Sequence, residues 1–279
     1  MTGVIDVGGG MRDIYGAGVF DWCMEQEISF DRCYGISAGS ANITSFLADQ
    51  PYRNYKFYME YAFRDEYMSW KNFFQTRNYI NLDYVYSVLS NSGGEYPLDY
   101  ETMAASPSEF IVVATDADTG RPHYFHKKDM KKDNYAPVKG SSCVPIFNKP
   151  YPIGSGRYFD GGMTDPIPIR KAMRDGCTRI VVILTRPKNY YRKPKKDIRL
   201  ARLMLKKYPN AAKAMARRWS YYNRSLEICH SLEKEGKVLI VAPDDIRHMS
   251  TLKKDHEAMQ LMYEEGYKDA EKIRDFLER

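Results

Sequence analysis

The sequence predicts an α/β fold in which a mainly parallel sheet carries helices on both faces. Residues 1–47 read as strand, glycine loop, helix, strand, sharp turn and helix, which is a βαβα unit. Two later segments, 110–115 and 179–185, are short apolar runs typical of buried strands. The 279 residues contain no internal repeat and no linker-like segment, so we expect a single domain over 1–279.

The elements of the opening unit follow from local patterns. Residues 4–7 form a short apolar strand, which three glycines end. Apolar residues at helical spacing predict a helix over 14–26. The next strand lies within 28–36 and runs into a glycine-flanked serine, and the residues that follow, 40–47, read as a helix.

The rest of the chain adds strands, a hairpin and a polar helical stretch. They are strands at 110–115, 122–126, 179–185 and 237–242, a hairpin over 145–160 with Gly154-Ser155-Gly156 at its tip, and helical residues over 251–279. Residues 52–86 are crowded with aromatic side chains, thirteen in all. Aromatic residues of this kind either pack in a core or line an apolar groove or cover.

Composition excludes several classes of protein. The five cysteines, Cys23, Cys33, Cys143, Cys177 and Cys229, are odd in number and lack C-x-x-C spacing, so no metal site and no redox motif is expected. No apolar run approaches the roughly 20 residues that span a bilayer, and no secretory signal is visible. We therefore expect a cytoplasmic protein, or one peripheral to a membrane, that needs no cofactor.

The formal net charge of +6 is unevenly distributed. Between Arg186 and Arg218, thirteen Lys or Arg residues accompany one acid, Asp197. Residues 198–208 carry apolar positions at helical spacing with cations between them, which predicts a basic amphipathic helix. Such a region is either a solvated helical face packed on the sheet or a surface that makes transient contact with an anionic membrane. We expect no nucleic-acid partner.

A serine lies between two glycines in the stretch Gly35-Ile36-Ser37-Ala38-Gly39. A serine hydroxyl becomes a useful nucleophile when a tight strand-to-helix turn projects it toward a base and toward free amide groups. Glycines two positions before and after the serine allow that turn to tighten. The pattern is short and recurs by chance, so a phosphate-binding or purely structural turn is the alternative.

The glycine loop Gly8-Gly9-Gly10 leaves the first strand and enters a helix, where free N–H groups make an anion site. A dinucleotide-binding loop is disfavoured, because Asp13 stands where its third glycine belongs and no acid follows the second strand. The other interpretation is an oxyanion hole, to which Arg12 adds positive charge or which it braces. Adjacent parallel strands would bring this loop beside Ser37, an arrangement suited to acyl transfer.

A nucleophile of this kind needs a base. Asp160 follows a short strand and precedes Gly161 and Gly162, which suits a catalytic carboxylate, although a turn aspartate that caps its own backbone looks the same. The chain also has histidines, but none lies in a telling sequence context. They are His123, His126, His230, His248 and His256.

These motifs resemble the patatin-like phospholipase family. The family pattern is a G-G-G-x-[R/K]-G loop, then G-x-S-x-G, then D-G-[G/A] far downstream. This chain carries 8–12, 35–39 and 160–162 in that order, with further similarity at 114–120, 141–147 and 165–183. The resemblance covers about 1–185, and 186–279 would be a helical and strand extension of the same domain. Asp13 departs from the pattern, since it replaces the last glycine of the loop.

The resemblance implies a three-layer α/β/α sandwich and a serine acyl hydrolase that cleaves phospholipid or other acyl-ester lipid substrates. It implies Ser37 as nucleophile and Asp160 as base, in a dyad without histidine. The Gly8–Gly10 loop, with the N–H of Ala38, would stabilise the oxyanion. Asp13 would cap the following helix, or weaken the hole if its carboxylate pointed into the crevice.

Two other functions remain open from the residues alone. One is an α/β-hydrolase-type esterase with a Ser37–Asp160–His triad, although that fold usually has several strands before its nucleophile. The other is a non-enzymatic protein that binds a membrane surface through its basic region. The first requires a histidine near Ser37. The second would bind without any ester turnover.

Overall fold

The computed structural model describes residues 1–278, and its centre is an eight-stranded sheet. The strands are β1 (Thr2–Asp6), β2 (Arg32–Ile36), β3 (Glu109–Asp116), β4 (Pro122–His126), β5 (Tyr151–Ile153), β6 (Gly156–Asp160), β7 (Arg179–Ile183) and β8 (Val238–Val241). Their order is β5-β6-β3-β2-β1-β7-β8, and β4 also pairs with β3. The five strands from β3 to β8 in that order are parallel, whereas β4, β5 and β6 form antiparallel pairs.

Helices cover both faces of this sheet. The helices are α1 (Ile14–Glu25), α2 (Ala38–Leu47), α3 (Arg53–Met59), α4 (Trp70–Thr76), α5 (Tyr100–Ala105), α6 (Ala136–Ser141), α7 (Ile169–Arg174), α8 (Pro194–Met204), α9 (Pro209–Lys234), α10 (His256–Asp269) and α11 (Glu271–Glu278). None of the helices in the described part of the chain is long and apolar enough to cross a membrane.

Alternation along the strands divides the core into two layers. Val4 and Val181 belong to the apolar cluster under α1, α2 and α10, whereas their neighbours Ile5 and Val182 belong to the cluster under α7 and α9. Successive strand residues point to opposite faces, so continuous apolar strands such as Val-Val-Ile are buried on both sides. The predicted α/β class with a mainly parallel, helix-covered sheet is confirmed.

Several elements are shorter than the predicted ranges. The second strand, predicted within 28–36, occupies Arg32–Ile36, and the helical residues predicted over 251–279 begin at His256 and divide between α10 and α11. The hairpin predicted over 145–160 is shorter and consists of β5 and β6. All five cysteines are buried and free of disulfides.

The basic helix predicted over 198–208 is α8, which ends four residues earlier, at Met204. Ala201 and Met204 are buried, while Ile198 and Leu205 are 39% and 54% exposed. The apolar positions therefore split between a face that packs and one that meets solvent. The long helix α9 was not predicted, because its alanines, cations and tyrosines do not follow a simple apolar stripe.

Two of the site's elements meet through the register of β3. Ile36, the last residue of β2, pairs with Val113, and Asp160, the last residue of β6, pairs with Ala114. The end of β2 and the end of β6 therefore meet at consecutive positions of β3. This register brings together two segments that lie more than a hundred residues apart in sequence.

Candidate active site

Ser37 forms the turn between β2 and α2 in a conformation that few residues adopt. Its φ of 56° and ψ of −129° lie outside the helical and extended regions. A non-glycine residue in this region costs about 1–3 kcal/mol and persists only where its surroundings impose it. Ser37 is 9% exposed. The glycines of the motif, Gly35 and Gly39, lie against Ser40 and Asp6 with no space for a side chain.

Side chains from two other segments hold the turn. The Ser37 N–H donates to Ser141 Oγ at 2.8 Å, and Ser141 Oγ donates to the Val113 carbonyl at 2.6 Å. Ser40 Oγ donates to the Ser37 carbonyl at 2.6 Å. The backbone groups of Ser37 are therefore satisfied on both sides, which leaves its hydroxyl free of a structural hydrogen bond.

The glycine loop lies directly against this turn. Gly8 has a φ of 67°, and a side chain there would overlap the Ile36 carbonyl and lie 3.1 Å from Ser37 Cβ. Only glycine permits both the conformation and the approach. Thr185 Oγ1 donates to the Gly8 carbonyl at 2.6 Å, and Arg12 Nε donates to the Thr185 carbonyl at 3.3 Å. Arg12 therefore braces the loop from below.

The three loop amides do not all face the same way. The Gly8 N–H donates to Asp6 Oδ1 at 3.0 Å, so it is not free to stabilise an oxyanion. Within residues 1–278, the N–H groups of Gly9, Gly10 and Ala38 make no hydrogen bond. This differs from the expectation that all three glycine amides are donors. The free donors beside Ser37 are those of Gly9, Gly10 and Ala38.

Asp13 lies behind the loop, fully buried, and lines neither cavity described below. It makes no side-chain hydrogen bond to cap α1, so the expected capping role is wrong. Its carboxyl group neighbours that of Asp6. Burial and the charge of Asp6 raise the pKa of Asp13 well above its usual range, and burial raises the pKa of Asp6 to about 6. Burial and the neighbouring carboxyl group therefore favour the protonated form of Asp13.

Asp160 ends β6 at the mouth of the same crevice. Its N–H donates to the Cys143 carbonyl at 2.9 Å, and its Oδ1 accepts from the Gly162 N–H at 2.8 Å. A side chain at Gly161 would overlap the Val113 carbonyl, so the segment can lie close to β3 only with glycine there. Asp160 is 9% exposed.

Burial raises the pKa of Asp160, and nearby groups oppose that shift. The largest opposing influence is the charge of Arg218, followed by the Ser37 hydroxyl, which faces the carboxylate closely enough to stabilise its charged form. Asp160 is thus a desolvated carboxyl group beside a serine, and the charge of Arg218 partly offsets the effect of burial on its pKa. That combination suits a group that accepts a proton from the serine.

No histidine joins this pair. None of the five histidines hydrogen-bonds Ser37 or Asp160, and none lines the two cavities beside them. His126 contacts Glu109, His230 contacts the Lys188 carbonyl, and His256 stacks on Phe63. In the described part of the chain, no group of three or more His, Cys, Asp or Glu is placed to hold a metal ion.

One cavity, of about 70 Å³, opens on the Gly10 and Ala38 side of the loop. We call it the tyrosine cavity, because five tyrosines line it together with Phe57, Val85, Leu89 and Val138: Tyr58, Tyr67, Tyr86, Tyr96 and Tyr135. Burial raises the pKa of Tyr86 to about 12, so its phenol is neutral. The aromatic segment 52–86 therefore supplies a wall of this cavity.

A second cavity, of about 50 Å³, opens on the Gly8 side of the loop. We call it the arginine cavity, because Arg12, Arg186 and Arg192 line it with Val7, Gly8, Pro166, Thr185 and Tyr222. Arg218 does not line this cavity, but its charge acts on Arg12, Arg186 and Arg192, and a methyl group on Gly162 would lie 3.3 Å from its Nη2. The Arg218 Nε is enclosed and has no hydrogen-bond partner within residues 1–278.

Sequence reasoning missed most of the supporting residues. Ser141 and Thr185 hold the turn and the loop, yet a serine and a threonine carry no signal of this kind in sequence. Arg186, Arg192 and Arg218 were noticed only as part of a basic region and interpreted as surface. Their inward placement depends on the path of the loop after β7, which carries Arg186 and Arg192, and of α9, which carries Arg218; local periodicity predicts neither.

Comparison with known proteins agrees with these observations. The family model for patatin-like phospholipase matches residues 7–173, and a model for a domain of unknown function, DUF6363, matches 208–278. The uncharacterized protein YjjU of Escherichia coli (strain K12) is 33% identical over 192 residues, which are 67% of this chain and 52% of YjjU. The match therefore spans about half the length of that relative.

Among solved structures, VipD from Legionella pneumophila is similar over 98% of this chain and 66% of that chain, at 13% identity and a TM-score of 0.48. The patatin model covers more than half of the chain, including the glycine loop, the Ser37 turn and Asp160. The chain therefore belongs to the patatin-like phospholipase family, a membership that implies an acyl hydrolase.

Proposed function

We propose that this protein hydrolyses a carboxylic ester of an acyl lipid, with Ser37 as nucleophile and Asp160 as base. The observation that carries the proposal is the strained Ser37 turn, which faces a desolvated carboxylate on one side and the glycine loop on the other. Strain of this kind recurs where a nucleophile is held for reaction. Family membership supports the reaction class.

The steps follow from the groups at hand. Ser37 Oγ attacks the ester carbonyl carbon while Asp160 accepts its proton. The oxyanion that forms accepts hydrogen bonds from the free N–H groups of Gly9, Gly10 and Ala38. The intermediate collapses as the alcohol leaves with the proton held by Asp160. Water, deprotonated by Asp160, then attacks the acyl-serine and releases the fatty acid.

We further propose that the acyl chain enters the tyrosine cavity. This cavity adjoins Ala38 and Gly10, which would hold the carbonyl oxygen, and its walls are mostly apolar or aromatic. Its volume of about 70 Å³ compares with about 30 Å³ for a water molecule in the liquid, so it accommodates the first few carbons of a chain. Longer chains would extend toward the opening.

A contact with an anionic membrane surface is part of the proposal. Leu203 and Leu205 at the end of α8 are 66% and 54% exposed, beside the exposed cations Arg202, Lys206 and Lys207. An exposed apolar strip bordered by cations suits the interface of an anionic bilayer. We expect co-sedimentation with vesicles that contain anionic lipid and little with neutral ones. Equal binding to both would exclude an electrostatic membrane contact.

The reaction is tested with a short-chain p-nitrophenyl ester. We expect turnover by the wild type and none by S37A, together with a single fluorophosphonate adduct by intact mass in the wild type only. Ser155→Ala is the matched control, since Ser155 also lies between two glycines but on an exposed turn. Turnover by S37A, or no labelling of the wild type, would refute Ser37 as nucleophile.

The same assay separates the two alternatives. A Ser–Asp–His esterase would lose activity when one of the five histidines is replaced by alanine, whereas the dyad predicts that all five variants keep it. A non-enzymatic binding protein would associate with anionic vesicles yet neither turn over an ester nor react with the probe.

A further inference from the structure

Four arginines lie near the Gly8 side of the glycine loop: Arg12, Arg186, Arg192 and Arg218. Two of them are held by hydrogen bonds or ion pairs within the protein. Arg12 donates to the Thr185 carbonyl and, from Nη1, to Thr251 Oγ1 at 3.4 Å. Arg192 makes a bidentate pair with the buried Asp197, at 2.8 and 2.9 Å. These contacts explain why both side chains lie where they do.

The other two, Arg186 and Arg218, have no such partner. Neither makes a hydrogen bond or an ion pair with any group among residues 1–278. The Arg186 guanidinium stacks on the Tyr190 ring at 4.3 Å, and the Arg218 Nε is enclosed without an acceptor. A partly buried guanidinium without a hydrogen-bonded anion is costly, because no acceptor replaces the water that its N–H groups have lost.

The charges in this region are also poorly balanced. Lys196 and the four arginines act on one another, and burial together with the neighbouring cations lowers the pKa of Arg12 and of Arg218 to about 10. The acids that act on these arginines are Asp197, which Arg192 already engages twice, Asp160, which faces Ser37, and the buried Asp13 beside Arg12. No acidic residue lines the arginine cavity itself. An anion there would relieve the repulsion.

We propose that the arginine cavity binds the phosphoryl group of the substrate lipid, with Arg186 in its wall and Arg218, beside Gly162, as the cations that engage it, and that the preferred lipid is an anionic phospholipid. This inference rests on the proposed function. The loop at Gly8 separates the cavity from Ser37 by one residue's width, and a glycerolipid holds its phosphoryl group only a few bonds from its ester carbonyls. A lipid can therefore engage both.

The chemistry of the cavity also selects among headgroups. At about 50 Å³ it has room for a phosphoryl group and little more. A choline or ethanolamine headgroup would add another positive charge beside the arginines. Proteins usually bind such cations through aromatic cages or carboxylates. Phosphatidic acid and phosphatidylglycerol add no cation. We therefore expect these lipids to be preferred over phosphatidylcholine.

Binding is measured on the Ser37→Ala protein, so that the outcome does not depend on turnover. Calorimetry with dihexanoyl phosphatidic acid, below its micelle concentration, should show binding at least about tenfold tighter than with dihexanoyl phosphatidylcholine. Adding Arg186→Gln or Arg218→Gln should weaken binding of the anionic lipid by about tenfold each, the loss expected for one charge-assisted hydrogen bond.

The matched control is Arg217→Gln, which removes the same charge from the adjacent, exposed position of α9 and should leave lipid affinity unchanged. Arg218→Lys keeps the charge and should recover part of the affinity. Arg186 is the second test position, because its main contact is the stack on Tyr190 and its replacement spares the core.

The outcomes separate the possible sources of the anion. Equal binding of phosphatidic acid and phosphatidylcholine, or an Arg217→Gln effect as large as that of Arg218→Gln, would overturn the proposal. Inorganic phosphate that binds in an Arg218-dependent way while neither lipid does would assign the cavity to free phosphate instead. If the lipids bind as expected but the wild type hydrolyses no ester, the proposed reaction fails while the anion site stands.

Discussion

The two cavities beside Ser37 both reach the glycine loop, but the side chains that line them differ in polarity and charge. The tyrosine cavity is walled mainly by phenols and aliphatic side chains, with one cation, Arg53, whereas Arg12, Arg186 and Arg192 line the arginine cavity. One side is mainly apolar and the other is mainly cationic. A molecule with a hydrocarbon tail and an anionic group close to one ester is the simplest ligand that satisfies both.

The difference also shows how each side is stabilised. The tyrosine cavity is held by ordinary packing, since the rings of 52–86 contact one another and the main core. On the other side, Arg186 and Arg218 have no hydrogen-bond or ion-pair partner among residues 1–278, so the electrostatic potential of that part of the site stays positive. Changes to the two sides should therefore affect different parts of a substrate.

The largest effect should come from Asp160, which lies where the two sides meet. Asp160→Asn removes the base and should lower kcat by at least about 10²-fold on every ester, whatever its tail or headgroup. Steady-state kinetics on a neutral p-nitrophenyl ester and on a phospholipid would measure it. Asp165→Asn is a suitable comparison, since Asp165 binds the Tyr124 hydroxyl rather than Ser37. A loss confined to one substrate would contradict the role of base.

A smaller effect should couple the arginine side to the base. Arg218 lowers the pKa of Asp160, so Arg218→Gln should raise it. Since Asp160 acts in its ionised form, the fall in activity on acidification should begin at a higher pH in Arg218→Gln than in the wild type. The acidic limb of the pH profile of kcat/KM measures this shift with the neutral ester. An identical limb in Arg218→Gln and wild type would show that Arg218 does not act on Asp160.

The tyrosine side should change acyl-chain preference alone. Ala41 lines this cavity, and Ala41→Leu would occupy space that an acyl chain uses. Each methylene excluded should lower kcat/KM by roughly fourfold, which corresponds to about 0.8 kcal/mol. A series of p-nitrophenyl esters of rising chain length would show the preference move to shorter chains. Ala105→Leu, on the exposed face of α5, should leave the series unchanged.

The smallest effect concerns the carboxyl pair behind the loop. A buried acid whose folded pKa is raised binds more protons in the native state, so stability falls as pH rises between its unfolded and folded pKa values. For Asp6 that window runs from 3.8 to about 6. Asp13→Asn removes the second carboxyl group whose own pKa is raised, so the fall in Tm above pH 3.8 should become shallower, with little change in kcat. A steeper fall in Asp13→Asn would show that the pair stabilises the fold.

Much of the site was predictable because its central residues lie in short motifs that follow one another in a fixed order. The glycine loop and the Ser37 turn each follow a parallel strand, and parallel strands end at a common edge. Asp160 ends β6, which is antiparallel to β3, so its motif was recognisable but its approach to Ser37 depends on the register with β3. The directions of individual groups were not predictable. The Gly8 amide turns to Asp6 and the Asp13 carboxyl turns inward, because both depend on a buried carboxyl pair that forms only when β1, α1 and α2 pack together.

Sequence alone determined the α/β class, the order of the opening βαβα unit and the three motifs, because these depend on local apolar period and glycine placement. Tertiary structure alone decided which of the many cations face the site. Thirteen Lys or Arg residues lie between 186 and 218, yet only the fold brings three of them to the site: Arg186 and Arg192, in the loop after β7, line the arginine cavity, and the charge of Arg218, on α9, acts on Asp160. The spacing of apolar residues within one segment does not predict this placement, because the placement arises from contacts between segments far apart in the chain.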